Sequence, residues 1–196
     1  MKTKTKALTL ALCAVLLVVT TVFVTMAFLT DTDEVTNTFT VGQVDISLDE
    51  APVDEYGEVV EGNRVKANTY KLIPGHEYAK DPTIHVAGDS EKCWLFVKVQ
   101  NGLAKAEASE NNIASQMAAK GWTLVSGTTD IYAYNTIASA NQEVVVFETF
   151  TIAGTAKVAD YASAEIIITA YAIQADGFNT AAEAWSKAGT EAQATN

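Results

Sequence analysis

Cys93-Trp94-Leu95-Phe96-Val97-Lys98-Val99 is the stretch on which the fold turns. It is rich in aromatic and β-branched residues, and positions 94–97 are apolar without a break. A strand with water on one face alternates apolar and polar residues; an unbroken run needs cover on both faces. This run therefore reads as a central strand. The other long β run is Glu165-Ile166-Ile167-Ile168-Thr169-Ala170-Tyr171-Ala172-Ile173. Shorter runs lie between and before these two: Val44-Asp45-Ile46-Ser47-Leu48, Thr83-Ile84-His85-Val86, Trp122-Thr123-Leu124-Val125, Ile131-Tyr132-Ala133-Tyr134, Glu143-Val144-Val145-Val146-Phe147 and Phe150-Thr151-Ile152. Each is bounded by turn residues, with Asn141 near one turn.

Three further segments complete the pattern. Tyr56-Gly57-Glu58-Val59-Val60 and Arg64-Val65-Lys66, joined by Glu61-Gly62-Asn63, read as a hairpin with a Gly-Asn turn. Leu72-Ile73-Pro74-Gly75 reads as a strand closing in a turn. Residues 109–120 have a helical composition, with Ile113, Met117 and Ala114 on one face and Gly121 as the stop. A second short helix, over 180–187, would pack Trp185 against the sandwich edge. Nine or ten strands with one or two short inserted helices predict an all-β sandwich spanning residues 42–188 as one domain. Residues 189–196 read as a loose polar tail. Trp94, Phe96, Phe147, Phe150 and Tyr171 are predicted core. Tyr132 and Tyr134 share a strand face, too few rings for a carbohydrate platform.

The N-terminal region is of another kind. Lys2, Lys4 and Lys6 precede an apolar run over 7–27, with Thr25 and Ala27 small. This is the pattern of a secretory signal peptide, residues 1–27, cut between Ala27 and Phe28. Left uncut, the run is long enough to anchor the chain in a membrane. Leu12 precedes Cys13 where a lipidation site needs a small residue. After the cut comes Phe28-Leu29-Thr30-Asp31-Thr32-Asp33-Glu34-Val35-Thr36-Asn37-Thr38-Phe39-Thr40-Val41. Residues 28–41 are polar and Thr/Asp-rich, with Phe28, Leu29, Val35, Phe39 and Val41 as apolar side chains to fill pockets. Such a segment suits addition as a strand to another molecule.

Composition narrows the classes. The chain of 196 residues carries 13 basic and 24 acidic residues, a net charge of −11. Removing the signal takes away three lysines and no acid, which leaves 169 residues at −14. That charge argues against nucleic-acid and anionic-membrane binding, and makes self-association sensitive to salt. Cys13 leaves with the signal, so Cys93 stands alone and reads as a small apolar residue at a strand start.

Candidate catalytic groups are few. The histidines are His76 and His85. His76-Glu77-Tyr78-Ala79-Lys80 begins like a zinc-binding helix motif, but Lys80 stands where the second histidine is needed, and Pro74-Gly75 precedes it as a turn. A site from His76, Glu77 and His85 would require the turn to fold back. No Gly-x-Ser-x-Gly elbow or phosphate-cradling glycine loop occurs, and a Cys93–His85 dyad has only nearness in sequence. Asp31, Asp33 and Glu34 lack the third ligand and the glycine of a calcium loop. The residues point to no enzyme, no cofactor and no metal site.

Several stretches carry a resemblance to a known family. Ala27-Phe28 with the Thr/Asp-rich segment, Phe39-Thr40-Val41-Gly42-Gln43-Val44-Asp45-Ile46, Leu72-Ile73-Pro74-Gly75, Lys80-Asp81-Pro82-Thr83-Ile84, Leu95-Phe96-Val97-Lys98-Val99 and Ala170-Tyr171-Ala172-Ile173-Gln174-Ala175-Asp176-Gly177-Phe178 recur in order. Together they resemble TasA and camelysin-type secreted proteins of Gram-positive bacteria. The resemblance implies a jelly-roll-like β-sandwich, a SipW-type signal cut by a dedicated signal peptidase, and extracellular biofilm-matrix fibres built by donor-strand exchange. The implied partners are further copies of the chain or related matrix subunits, with membrane contact only before cleavage. Two alternatives remain open. One is an accessory, anchor or adhesin subunit of the same fold at the cell surface. The other is a metallopeptidase, the activity to which camelysin-type proteins have been assigned. N-terminal sequencing of the exported protein should read Phe-Leu-Thr-Asp; a chain retaining Lys2 would show the membrane-anchored form instead.

Overall fold

The computed structural model describes residues 43–194, together with residues 3 and 12–15 near the N-terminus. The chain divides into two compact units, Met1–Thr40 and Val41–Asn196. In the first unit, residues 3 and 12–15 are helical. Among the described residues no helix is long and apolar enough to cross a membrane; most of the apolar run 7–27 lies outside them.

The second unit is an all-β sandwich with small helical inserts. Its nine described strands are β1 (Ile46–Asp49), β2 (Glu77–Ala79), β3 (Thr83–Val86), β4 (Cys93–Asn101), β5 (Trp122–Leu124), β6 (Ile131–Tyr134), β7 (Glu143–Val145), β8 (Thr149–Thr151) and β9 (Ile166–Gln174). Helix α1 (Ile113–Ala119) lies between β4 and β5, and α2 (Ala181–Ala194) follows β9. All strand pairing is antiparallel. β1, β3 and β7 form one sheet, β2 and β8 a second, and β5-β6-β4-β9 a third.

The first two sheets are one ladder with a break in it. Ala79 faces Thr149 and Thr83 faces Val145, in the same register. Between them the backbone continues through Lys80 N–H to Glu148 O (2.9 Å) and Val146 N–H to Pro82 O (2.8 Å). Pro82 has no N–H to donate, so the ladder is interrupted where Asp81-Pro82 enters β3. The second unit thus has two layers of sheet.

β4 sits inside its sheet, between β6 and β9, and its alternation explains the unbroken apolar run. Cys93, Leu95 and Val97 are wholly buried in the core between the layers, with Ile84, Val144, Phe147 and Phe150. Trp94 and Phe96 point the other way, into a second apolar cluster with Ile131, Tyr171, Ile173 and Ala184 of α2. Trp185 of α2 packs on Phe96 (4.9 Å between ring centres) and Tyr171 (5.8 Å). The five aromatics predicted as core are all buried.

Several elements differ from the sequence reading. Helix α1 starts later than residue 109, because Asn112 caps it by accepting from Ser115 N–H. Ile113 and Met117 are buried as expected, but Ala114 is exposed and Gln116 takes the third inward position. Gly121 ends the helix at φ +90°. Helix α2 continues past Lys187 to Ala194, so residues 189–194 extend a helix where a loose tail was expected. A side chain at Gly189 would collide with Trp185, and its absence lets the helix turn past that ring. Leu72-Ile73 is irregular: Tyr78 Oη accepts from Ile73 N–H (2.6 Å) and donates to Lys71 O (2.8 Å), in place of a strand partner.

The expected hairpin is also corrected. Its turn is not at Gly62-Asn63 but at residues 54–58, and its arms meet only at the single bridges Val53–Val59 and Glu50–Val65. Asp54 makes the turn, its carboxylate accepting from Tyr56 and Glu58 N–H (both 2.9 Å). Gly57, at φ +80°, lies on Tyr78; an added Cβ would sit 2.7 Å from the ring and 2.8 Å from Tyr78 Cα. Gly127 has a similar φ of +83° with open space around it. Gly57→Ala should cost about 3 kcal/mol in chemical denaturation, against about 1 kcal/mol for Gly127→Ala, which suffers the backbone penalty alone.

Candidate functional site

Ala27, Phe28, Leu29, Val35, Phe39 and Val41 all lie outside the described residues, as do Asp31, Asp33 and Glu34. The other residues that the sequence raised in the sandwich are placed.

His76 does not begin a helix. It precedes β2, its ring lies edge-on to Tyr78 (4.6 Å), and Nε2 is 2.8 Å from Tyr56 O at the turn tip. Glu77 faces Thr149 and Thr151 across β8. Lys80 is buried and donates to Glu50, which also accepts from Asn68 Nδ2 (2.9 Å). In the sandwich, then, the residues of the zinc-like stretch tie a strand to the excursion over 50–73. Cys93 is free and wholly buried. Burial pushes its thiol up to about 11, which disfavours the reactive thiolate. Tyr132 and Tyr134 are half-buried against the inter-sheet core, Tyr134 lying 5.2 Å from the ring of Trp122.

His85 belongs to a charged group that crosses β1, β3 and β7. Its Nε2 is 2.8 Å from Asp49 Oδ1 and its Nδ1 3.2 Å from Glu143 Oε1. Arg64 reaches the same carboxylate from the excursion. It donates to Asp49 through Nε, to Asp81 Oδ2 through Nη1 (2.8 Å), and through Nη2 to Thr83 Oγ1 and Asp81 O (both 2.9 Å). Burial pushes the Asp49 carboxyl up, but hydrogen bonds from Arg64 and His85 outweigh it and hold the group below the usual carboxylate range. The group clasps the strand that directly follows the N-terminal region. Among the described residues, no three His, Cys, Asp or Glu side chains are placed to hold a metal ion.

The sheet borders are lined by different residues. Along β7 and β8, Gln116 uses its whole amide: Oε1 accepts from Glu148 N–H (3.0 Å) and Thr149 N–H (3.1 Å), and Nε2 donates to Thr149 O (2.9 Å) and Asn111 O (2.8 Å). Trp122 Nε1 donates to Val145 O (3.2 Å), and Ala108 N–H to Thr151 O (2.8 Å). β1 is bordered by Lys66, which donates to Leu48 O, and by the Glu50–Val65 bridge. β9 is nine residues long, stands at the end of its strand order, and has half-buried Ile166 and Ile168 on its inner face. The roles of Gln116 and Arg64 were not foreseen from sequence. An amide on an otherwise apolar helical face is the signal that could have marked Gln116.

No family model, curated protein or solved structure matches the chain.

Because the Asp49 carboxyl is held low when folded, it adds stability above the ordinary carboxylate range. That stability drains away as pH falls through the folded value. The urea midpoint should therefore drop towards acid pH, and Asp49→Asn should flatten this drop while lowering the midpoint at neutral pH.

Proposed function

We propose that this chain is a secreted structural protein that forms extracellular matrix fibres by donor-strand addition. The segment 28–41, freed by cleavage after Ala27, would lie as a strand on a neighbouring copy. Phe28, Leu29, Val35, Phe39 and Val41 would fill its pockets and set register, while backbone hydrogen bonds supply affinity. Before cleavage the apolar run holds the segment at the membrane, so processing would be the switch for assembly.

The observation that supports this reading is the length and apolar composition of β9, nine residues at the end of its strand order. Gln116, Trp122 and the 106–108 segment tie off β7 and β8, and Lys66 and Val65 border β1. The long apolar β9 ends the other sheet, with half-buried side chains facing the core. Long apolar strands at sheet borders are where proteins add a partner strand.

An accessory or anchor subunit of the same fold is the second reading, and the uncut apolar run 7–27 would favour it. Negative-stain microscopy separates the two. Protein starting at Phe28 should form filaments, and the same protein lacking residues 28–40 should remain a folded monomer. Filaments from both would overturn donor-strand assembly. Monomers from both would favour the accessory subunit.

A further inference from the structure

A cleft of about 550 Å3 opens among β4, β6, α1 and the segment between β4 and α1. Val99, Ala104, Ala114 and Tyr132 give it apolar and aromatic walls, and Ser109 and Thr129 place hydroxyls on its border. Glu107 also lines it. Its position is fixed from three sides. Its backbone bridges Ile152, Oε1 accepts from Ile113 N–H (2.6 Å), and Oε2 accepts from Asn101 Nδ2 (3.1 Å).

The other carboxylates held inside this fold have cations. Asp49 and Asp81 have Arg64, and Glu50 has Lys80. Among the described residues no lysine, arginine or histidine pairs with Glu107. Burial pushes its carboxyl above the ordinary range, against the pull of its two hydrogen bonds. Two neutral donors leave one lone pair on each oxygen and leave the charge uncompensated. A cation entering the cleft would gain what the fold does not supply.

The shape and chemistry select among cations. A hard metal ion would need several oxygen ligands, and Glu107 is a single carboxylate with both oxygens already accepting. An ammonium needs only a few acceptors, and an alkyl stem suits walls of valine, alanine and a tyrosine ring. We propose that this cleft binds a primary ammonium on an aliphatic stem, with the charge on Glu107 and the methylenes along Val99, Ala104, Ala114 and Tyr132. A free alkylamine and a lysine side chain of a polypeptide share that chemistry.

Titration of the chain from Phe28 onward, followed by amide NMR shifts, tests this with n-butylammonium, with Nα-acetyl-lysine methylamide and with n-butanol. The ammonium should bind, shift residues around the cleft, and exceed the alcohol roughly tenfold in affinity. Binding of the blocked lysine as well would assign the site to polypeptide side chains; binding of n-butylammonium alone would assign it to small amines. Glu107→Gln should lose roughly tenfold in affinity. Ala114→Met, an exposed change that narrows the cleft without touching the carboxylate, should lose binding with an unchanged melting temperature. Affinity should also fall on acidification at a higher pH than for an ordinary carboxylate. The proposal is overturned if neither amine binds, if butanol binds as well as the ammonium, or if both variants bind like the parent.

Discussion

The demand that strand β4 be covered on both faces organises the domain. One face needs an opposing sheet, and the ladder of β2 and β3 with β7 and β8 supplies it through Ile84, Val144 and Phe150. The other face needs cover of its own. Helix α2 supplies it, bringing Trp185 and Ala184 onto Phe96 and Tyr171. The cover is not perfect. Among the described residues the buried indole nitrogen of Trp94 has no hydrogen-bond partner, at a cost of about 1–3 kcal/mol. Area buried by the rings outweighs that cost, at roughly 25 cal/mol per Å2 of apolar surface.

Much of this was legible in the residues. The unbroken run at 94–97 marked β4 as central, and the other strands lie within a residue or two of their expected bounds, except β2, which the sequence reading did not include. What escaped was set by side chains far apart in sequence. The excursion over 50–73 has β-like composition, yet its backbone is held by Asp54, Asn68, Tyr78 and Arg64 rather than by a partner strand. No periodicity reports that Arg64 will reach Asp49 and Asp81. Likewise nothing in the sequence reading singled out Gln116, although it makes three hydrogen bonds to Glu148 and Thr149 and a fourth to Asn111 O. Helix α2 outran its expected end because glycine at 189 reads as a stop, whereas here it makes room for Trp185.

The candidate site divides along the same line. The segment carrying the proposed donor residues is polar, with five spaced apolar side chains. The spacing of the histidines invited a metal reading, and three-dimensional partners assign them structural work: His76 at the turn tip, and His85 between Asp49 and Glu143. The positioning of Asp81 follows from its neighbour. Because Pro82 breaks the ladder, Asp81 is released from regular pairing, and its carboxylate holds both Ala51 N–H (2.6 Å) and Arg64.

The way β1 is fastened has a mechanical meaning. Residues 43–50 are tied to the rest of the domain by the β3 ladder and by bonds from Glu91 N–H to Gln43 O (2.9 Å) and from Ala87 N–H to Asp45 O (3.0 Å). Arg64 and Lys66 add side-chain ties at the far end of the strand, on Asp49 and Leu48. Within the described sandwich, tension applied at Gln43 reaches this short strand first. The backbone bonds near Gln43 and Asp45 carry the load before the charged clasp does, and the clasp sets the force at which β1 lets go. Because that clasp is ionic, the yield point of the domain is tuned by the salt and acidity of the medium around it.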